Sequence, residues 1–203
     1  IAHQHGIRIV MDAVINHTGP VTEQDKVWPN DWVRTSPKCE FNSYETAVPC
    51  ALVENLPDIL TESNENVELP KELIEKWKKE GRYELEMAEL DAFFERTGYP
   101  RAPRFYIIKW LSDFVRDFGI DGFRADTVRH IAEEVWAEFK KECETAFADW
   151  KQQNADQVLD DNKFYMVGEV YGYNIISSGK SFDFGDVKVN YYDHGFDSMI
   201  NFE

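Results

Sequence analysis

Hydrophobic positions change their period along this chain, and the changes outline its elements. Residues 7–15 (IRIVMDAVI) are rich in β-branched side chains and apolar on both faces, the pattern of a buried parallel strand. Ile1–Gly6 before them resembles the tail of a helix, with Gly6 placed to end it. Periodicity then fades from residue 18 to about 70, where most of the prolines gather together with Cys39 and Cys50. That excursion is too long for an ordinary connection and predicts a subdomain. Helical spacing returns at 70–82, with Pro70 as first helical position and an end near Gly81, and again at 84–97, ending at Gly98. Between 103 and 119, Ile107, Leu111, Phe114, Val115 and Phe118 mark a third helix. IDGFRAD (120–126) reads as a short strand. Residues 128–154 read as a long amphipathic helix with Ile131, Val135, Phe139 and Cys143 on one face, and KFYMVGEV (163–170) as the next strand. The remainder is a Gly-, Asp- and Tyr-rich loop leading into SMINFE, the start of another strand. Strands alternating with helices predict an α/β fold with a parallel sheet and right-handed crossovers.

Three of these strands close on polar groups: Asp12 with Asn16 and His17, Arg124 with Asp126, and Glu169. Function gathers at the C-terminal ends of strands in parallel α/β folds. A carboxylate there is a poor core residue, because burying it unpaired is costly. One such strand end could be a structural ion pair; three in succession point to a site.

Composition narrows the partners. Acidic residues outnumber basic ones 38 to 22, a net charge of −16, which disfavours a nucleic-acid partner because phosphates need basic stripes. No apolar run approaches the roughly 18 residues that suggest a membrane span. Aromatics make up 14% of the chain, enough to pack a core and to offer rings to a sugar face. Cys39 and Cys50 lie close enough in sequence to close a short loop, which would imply an oxidising compartment, or they are two free thiols. The chain opens mid-pattern, so a missing leader says little.

With these residues in view, a resemblance becomes specific. DAVINH (12–17) resembles the first conserved region of the α-amylase family, at the end of its third barrel strand. GFRADTVRH (122–130) resembles the second region, which holds the nucleophile, and GEV (168–170) the third, which holds the acid/base. NLPDI (55–59), preceded by the cysteine pair, is similar to the conserved stretch of the family's inserted domain B. The ending YYDHGFDSMINFE is most like secreted or periplasmic bacterial members, which implies such a location here.

The resemblance implies a partial (β/α)8 TIM barrel, about strands three to six, with domain B inserted after strand three. Residues 1–17 would be the third-strand region, 18–100 the insertion, and 101–203 the third barrel helix to the start of strand six. It implies retaining hydrolysis of α-1,4-glucosidic bonds in an α-glucan oligosaccharide or polysaccharide, with Asp126 as nucleophile and Glu169 as acid/base. Arg124, two residues before Asp126, would share its face of the strand and keep it ionised and aimed. Glu169 needs a less polar setting to hold its proton. His17, Arg124, Arg129 and His130 would bind substrate, and Asp12 would support the site. The family's calcium maps to Asn16, Asp58 and the backbone carbonyl of His130, oxygen donors that suit a hard cation. Some fungal members carry a further acidic ligand just before the second cysteine; Val48 stands there, so coordination would be altered or completed by water. The family's fourth region and several barrel strands have no counterpart, which implies a segment of a longer protein, poorly active alone. A cyclomaltodextrinase, α-glucosidase or transglycosylase would share these motifs, and so would a non-catalytic carbohydrate-binding protein that kept them.

Overall fold

A computed structural model describes every residue except 24, 26 and 27. After a 3-10 turn at His3–His5, closed by Gly6 in the left-handed region, the chain enters β1 (Val10–Ala13). The expected helix tail is thus a single 3-10 turn, and the strand is shorter than its apolar run. The excursion contains β2 (Val33–Arg34), the one-turn helix α1 (Tyr44–Ala47) and β3 (Asp58–Ile59), with β2 and β3 paired antiparallel. Ser43 caps α1 reciprocally with Thr46. Next come α2 (Lys71–Lys79), α3 (Tyr83–Thr97) and α4 (Pro103–Phe118), then β4 (Gly122–Ala125). Pro70 is the cap of α2 and not its first helical residue.

A 3-10 turn at Val128–His130 separates β4 from α5 (Glu133–Gln153). The long helix therefore begins five residues later than its pattern, because Thr127 is left-handed (φ 50°) and Ile131 and Ala132 are extended. β5 (Tyr165–Gly168) follows. The expected loop beyond it holds a one-turn helix α6 (Ile175–Ser178), a small hairpin of β6 (Phe182–Asp183) and β7 (Lys188–Val189), and a 3-10 turn at Tyr191–His194. β8 (Ser198–Met199) is the strand begun by SMINFE.

The main sheet is parallel, in the order β1-β4-β5-β8. Its register sets Asp12 beside Arg124 and Val167, and Ala13 beside Ala125 and Gly168. The core lies between this sheet and the packed pair α4 and α5. Phe123 of β4 stacks on Phe139 of α5 at 5.3 Å between centroids and meets Phe164 edge-on. Val135, Cys143 and Met166 are fully buried around them. Gly119 ends α4 with φ 65°, and a β-carbon there would lie 2.3 Å from the Trp150 indole, so only glycine permits the helix to turn beneath it.

Two of the five apolar positions that mark α4 do not serve the core: Phe114 and Phe118 are exposed, while Arg104 and Lys109 are buried. The charged pair is inside because it is partnered. Arg104 bonds the carbonyls of Thr61 and Ser63, the Asn64 amide and Glu138; Lys109 bonds Glu89 and Asp113. Hydropathy cannot register that compensation.

Candidate active site

The strand ends bring the predicted residues together through backbone continuity. Asp126 N–H donates to the Ala13 carbonyl (3.0 Å) and Glu169 N–H to the Ala125 carbonyl (2.9 Å), extending the ladder one residue past each strand. The carboxylates of β4 and β5 therefore rise side by side at the C-terminal rim. Gly168 makes this possible for Glu169, because a β-carbon there would meet Met199 Sδ at 2.8 Å and hold β8 away.

Arg124 lies at the centre. Its Nη1 donates to Asp126 Oδ1 at 2.8 Å, and its Nη2 reaches Glu169 Oε2 at 2.8 Å. Asp12 Oδ1, on the neighbouring strand, is 3.4 Å from Nη1 and far more exposed. One guanidinium thus spans both carboxylates, using the fork geometry that lysine lacks. The Glu169 carboxyl is pushed above its ordinary value. Burial is the main cause, a hydrogen bond and charge repulsion from Asp126 add to it, and Arg124 opposes it.

Thr127 was not predicted to matter. Its backbone N–H faces the Glu169 carboxylate, and the next amide, Val128 N–H, donates to the Glu169 main-chain carbonyl at 3.0 Å. A left-handed Thr127 (φ 50°) turns these amides toward Glu169. Threonine is a poor residue for that conformation, so its identity carried no signal beyond its place beside the nucleophile.

His17 stands close enough to Asp126 to feel its charge, yet burial is the larger effect and lowers its pKa, so the ring is neutral at neutral pH. His17 also bridges Asp58 in the backbone, and its Nδ1 is 3.3 Å from Asn16 Nδ2. Asn16 and Asp58 are both almost fully buried and share a hydrogen bond. Asp58 Oδ2 accepts from Arg34 Nε at 3.1 Å, whereas Oδ1 has no partner. Burial lifts the Asp58 carboxyl to about 8, against the opposing charge of Arg34, and Glu62 adds to the rise. Arg34 is a second residue that no motif announced; only the β2–β3 pairing brings it to Asp58. Val48 is buried in the core, as a non-ligand should be.

His130 is buried, with its Nδ1 2.8 Å from the Ala47 carbonyl. Burial lowers its pKa to about 4. Arg129 Nε donates to His130 Nε2 at 3.3 Å, and its guanidinium lies among the rings of Phe41, Phe182 and Tyr171 at 5.2, 5.4 and 5.8 Å. Burial in that aromatic setting lowers the Arg129 pKa. Cys39 and Cys50 form a disulfide, resolving the choice between a bridge and two thiols, and Cys143 is a buried free thiol. No helix among the described residues is long and apolar enough to cross a membrane.

Two carboxylates gripped by one arginine at the rim of a parallel sheet invite comparison with known glycosidases. The sequence model of the alpha-amylase catalytic domain matches residues 1–192. The chain belongs to the alpha-amylase family. It is 31% identical to the periplasmic alpha-amylase of Escherichia coli (strain K12), an alignment covering 100% of this chain and 34% of that protein. A Bacillus sp cyclomaltodextrinase is 24% identical, over 90% of this chain and 26% of its own length. The chain therefore spans about a third or less of the curated relatives it matches. Among solved structures, an Anoxybacillus alpha-amylase aligns with TM-score 0.59 at 19% identity, covering 98% of this chain and 31% of that one. The four parallel strands of this alpha-amylase family member are thus part of a (β/α)8 barrel, as expected.

Proposed function

We propose that the protein of which this chain is a part hydrolyses α-1,4-glucosidic bonds of starch or maltooligosaccharides with retention of configuration. The observation that carries the reading is the Arg124 fork, 2.8 Å from a carboxylate oxygen on each of Asp126 and Glu169. In this reading the anomeric carbon enters between the two carboxyls. Asp126 attacks it and forms the glycosyl-enzyme, while Glu169 gives its proton to the departing oxygen. Glu169 then takes a proton from the water that cleaves the intermediate. The raised Glu169 pKa suits the donor, and Arg124 holds Asp126 in position. His17 and Arg129 bind the sugar beside the reacting centre, the buried His130 positions Arg129 through its Nε2, and Asp12 supports the site at its open edge.

Calcium belongs to the same proposal. Asn16, Asp58 and the His130 carbonyl would hold it, and the fit rests on the buried, unpartnered Asp58 Oδ1, the oxygen that Arg34 leaves free. Bound there, the ion would add to the charge of Arg34 and keep the buried Asp58 ionised, and it would tie residues 18–100, read as domain B, to the sheet. A secreted or periplasmic location is supported by the Cys39–Cys50 bridge and by the periplasmic relative.

The test is reducing-sugar release from starch by this chain and by a chain extended to the length of the relatives, each beside Asp126→Asn. Activity in the extended protein that Asp126→Asn abolishes is the expected result; activity surviving the substitution removes Asp126 as nucleophile. The chain alone should turn over poorly, because β1 ends the sheet beside the site among the described residues. The cyclomaltodextrinase relative makes cyclodextrin the comparison substrate, and faster cleavage of it than of starch would move the assignment there. An intact extended protein that binds glucan without turnover would assign a binding role.

A further inference from the structure

We propose that reduction of the Cys39–Cys50 disulfide creates a binding site for a thiophilic divalent cation of the zinc type, formed by the two thiolates and the His130 imidazole. The two sulfurs and a His130 ring nitrogen all lie within 4.8 Å of one another. Cys50 and His130 are buried and Cys39 is partly so. With bonds of about 2.3 Å to sulfur and 2.0 Å to nitrogen, a tetrahedral ion would let the two freed sulfurs part to roughly 3.7 Å while the imidazole nitrogen closes in.

Backbone hydrogen bonds hold both cysteines in addition to the sulfur–sulfur bond. Ala51 N–H donates to the Pro37 carbonyl at 2.7 Å and Cys39 N–H to the Ala51 carbonyl at 3.3 Å, a bridge flanking both cysteines. His130 arrives on a different segment, the 3-10 turn after β4, and its ring is fixed by the Nδ1 contact with the Ala47 carbonyl. A carbonyl only accepts, so the proton is on Nδ1 and the lone pair on Nε2. This is how metal-bound histidines are commonly oriented. Coordination through Nε2 gives up only the 3.3 Å bond from Arg129.

The chemistry separates two states. In the disulfide neither sulfur is a thiolate, and the site is closed. A dithiol reductant breaks the bond by giving two electrons and two protons, becoming a disulfide itself. Metal binding then releases both thiol protons to solvent, and water completes four-coordination. This site selects soft or borderline cations, whereas Asn16 and Asp58 offer only oxygen. It does not depend on the hydrolase reading. Because His130 closes the motif that carries Asp126, the metal would link redox conditions to the candidate active site.

The test uses the full chain carrying Cys143→Ala, which removes the third thiol, oxidised and phosphine-reduced, titrated with cobalt(II) and then zinc. Expected is one equivalent of cobalt with thiolate charge-transfer and tetrahedral ligand-field bands, displaced by zinc and absent from the oxidised chain. Cys39→Ser and Cys50→Ser should each abolish the bands. His130→Gln should weaken binding by more than the roughly tenfold that losing an outer partner costs. No such bands, or bands undiminished in His130→Gln, would overturn the proposal. Far-UV circular dichroism accompanies each titration; loss of helical signal on reduction, before metal, would also overturn it, since the fold would not then be holding the ligands.

Discussion

Asp58→Asn isolates the buried carboxyl beside Arg34. Folding moves this group from an ordinary 3.8 to about 8. A folded value above the unfolded one means that the group's stabilising contribution is complete below 3.8 and lost as the pH rises through about 8. At pH 7 a proton must be held across roughly three pH units at about 1.4 kcal/mol each, a cost of about 4 kcal/mol. The asparagine amide matches the protonated carboxyl, still accepts from Arg34 and needs no proton, but its NH2 brings a second buried donor whose lack of a partner costs about 1–3 kcal/mol. The variant should therefore be more stable by about 1–3 kcal/mol near neutrality in chelator. At roughly 2–4 °C per kcal/mol for a chain of this size, that is a rise of about 2–12 °C in Tm. The difference should reverse sign toward pH 4, where holding the proton costs only about 0.5 kcal/mol, and grow toward pH 8. Calcium should reverse the order near neutrality, because it binds the ionised carboxylate and stabilises only the parent. Thermal unfolding at pH 4, 6 and 8, with and without calcium, reads all of this. A gap of constant size across pH, or a variant less stable than its parent at pH 8 in chelator, would refute the reasoning.

Four further outcomes follow from the same geometry. The Glu169 carboxyl, followed by carbon-detected NMR, should titrate above the ordinary carboxylate range, and Asp126→Asn should bring it down by removing the neighbouring negative charge; an upward move would contradict the cause assigned here. Arg124→Met should shift Glu169 upward and lower kcat of an active extended protein by about tenfold to a hundredfold, for the charge-assisted bond to Asp126 at about 1.5–3 kcal/mol beside the lost ion pair to Glu169; a loss below tenfold would remove Arg124 from the machinery. Thr127→Gly should leave stability unchanged or raise it by up to about 1 kcal/mol, relief of the left-handed threonine offsetting the entropy of glycine, as read from urea midpoints; clear destabilisation would show that the conformation is unstrained. Trp136→Phe should cost about 1–3 kcal/mol, because the fully buried indole donates to the Val128 carbonyl at 3.1 Å and the substitution leaves that carbonyl unpaired; an unchanged unfolding midpoint would argue against it.

Much of this was legible along the chain. The β-branched runs ending in Asp12, Arg124 with Asp126, and Glu169 specified parallel strands with chemistry at one rim, because period and strand polarity are local properties. Glycines after helical runs marked two ends at the observed residues, Gly6 and Gly98, since a left-handed cap is a demand on one residue. What failed was non-local. The late start of α5 follows from Thr127 turning toward Glu169, a contact between two strands. Buried Arg104 follows from partners more than thirty residues away. Arg34 reaches Asp58 only because β2 pairs with β3, and Cys50 meets His130 only because the excursion folds back over the sheet. The sequence by itself determined the strands of the main sheet and the polar residues that close them. Tertiary structure alone decided which charges share a partner, which carboxyl is left without one, and how far burial moves each, because those depend on distances through space that no spacing along the chain encodes.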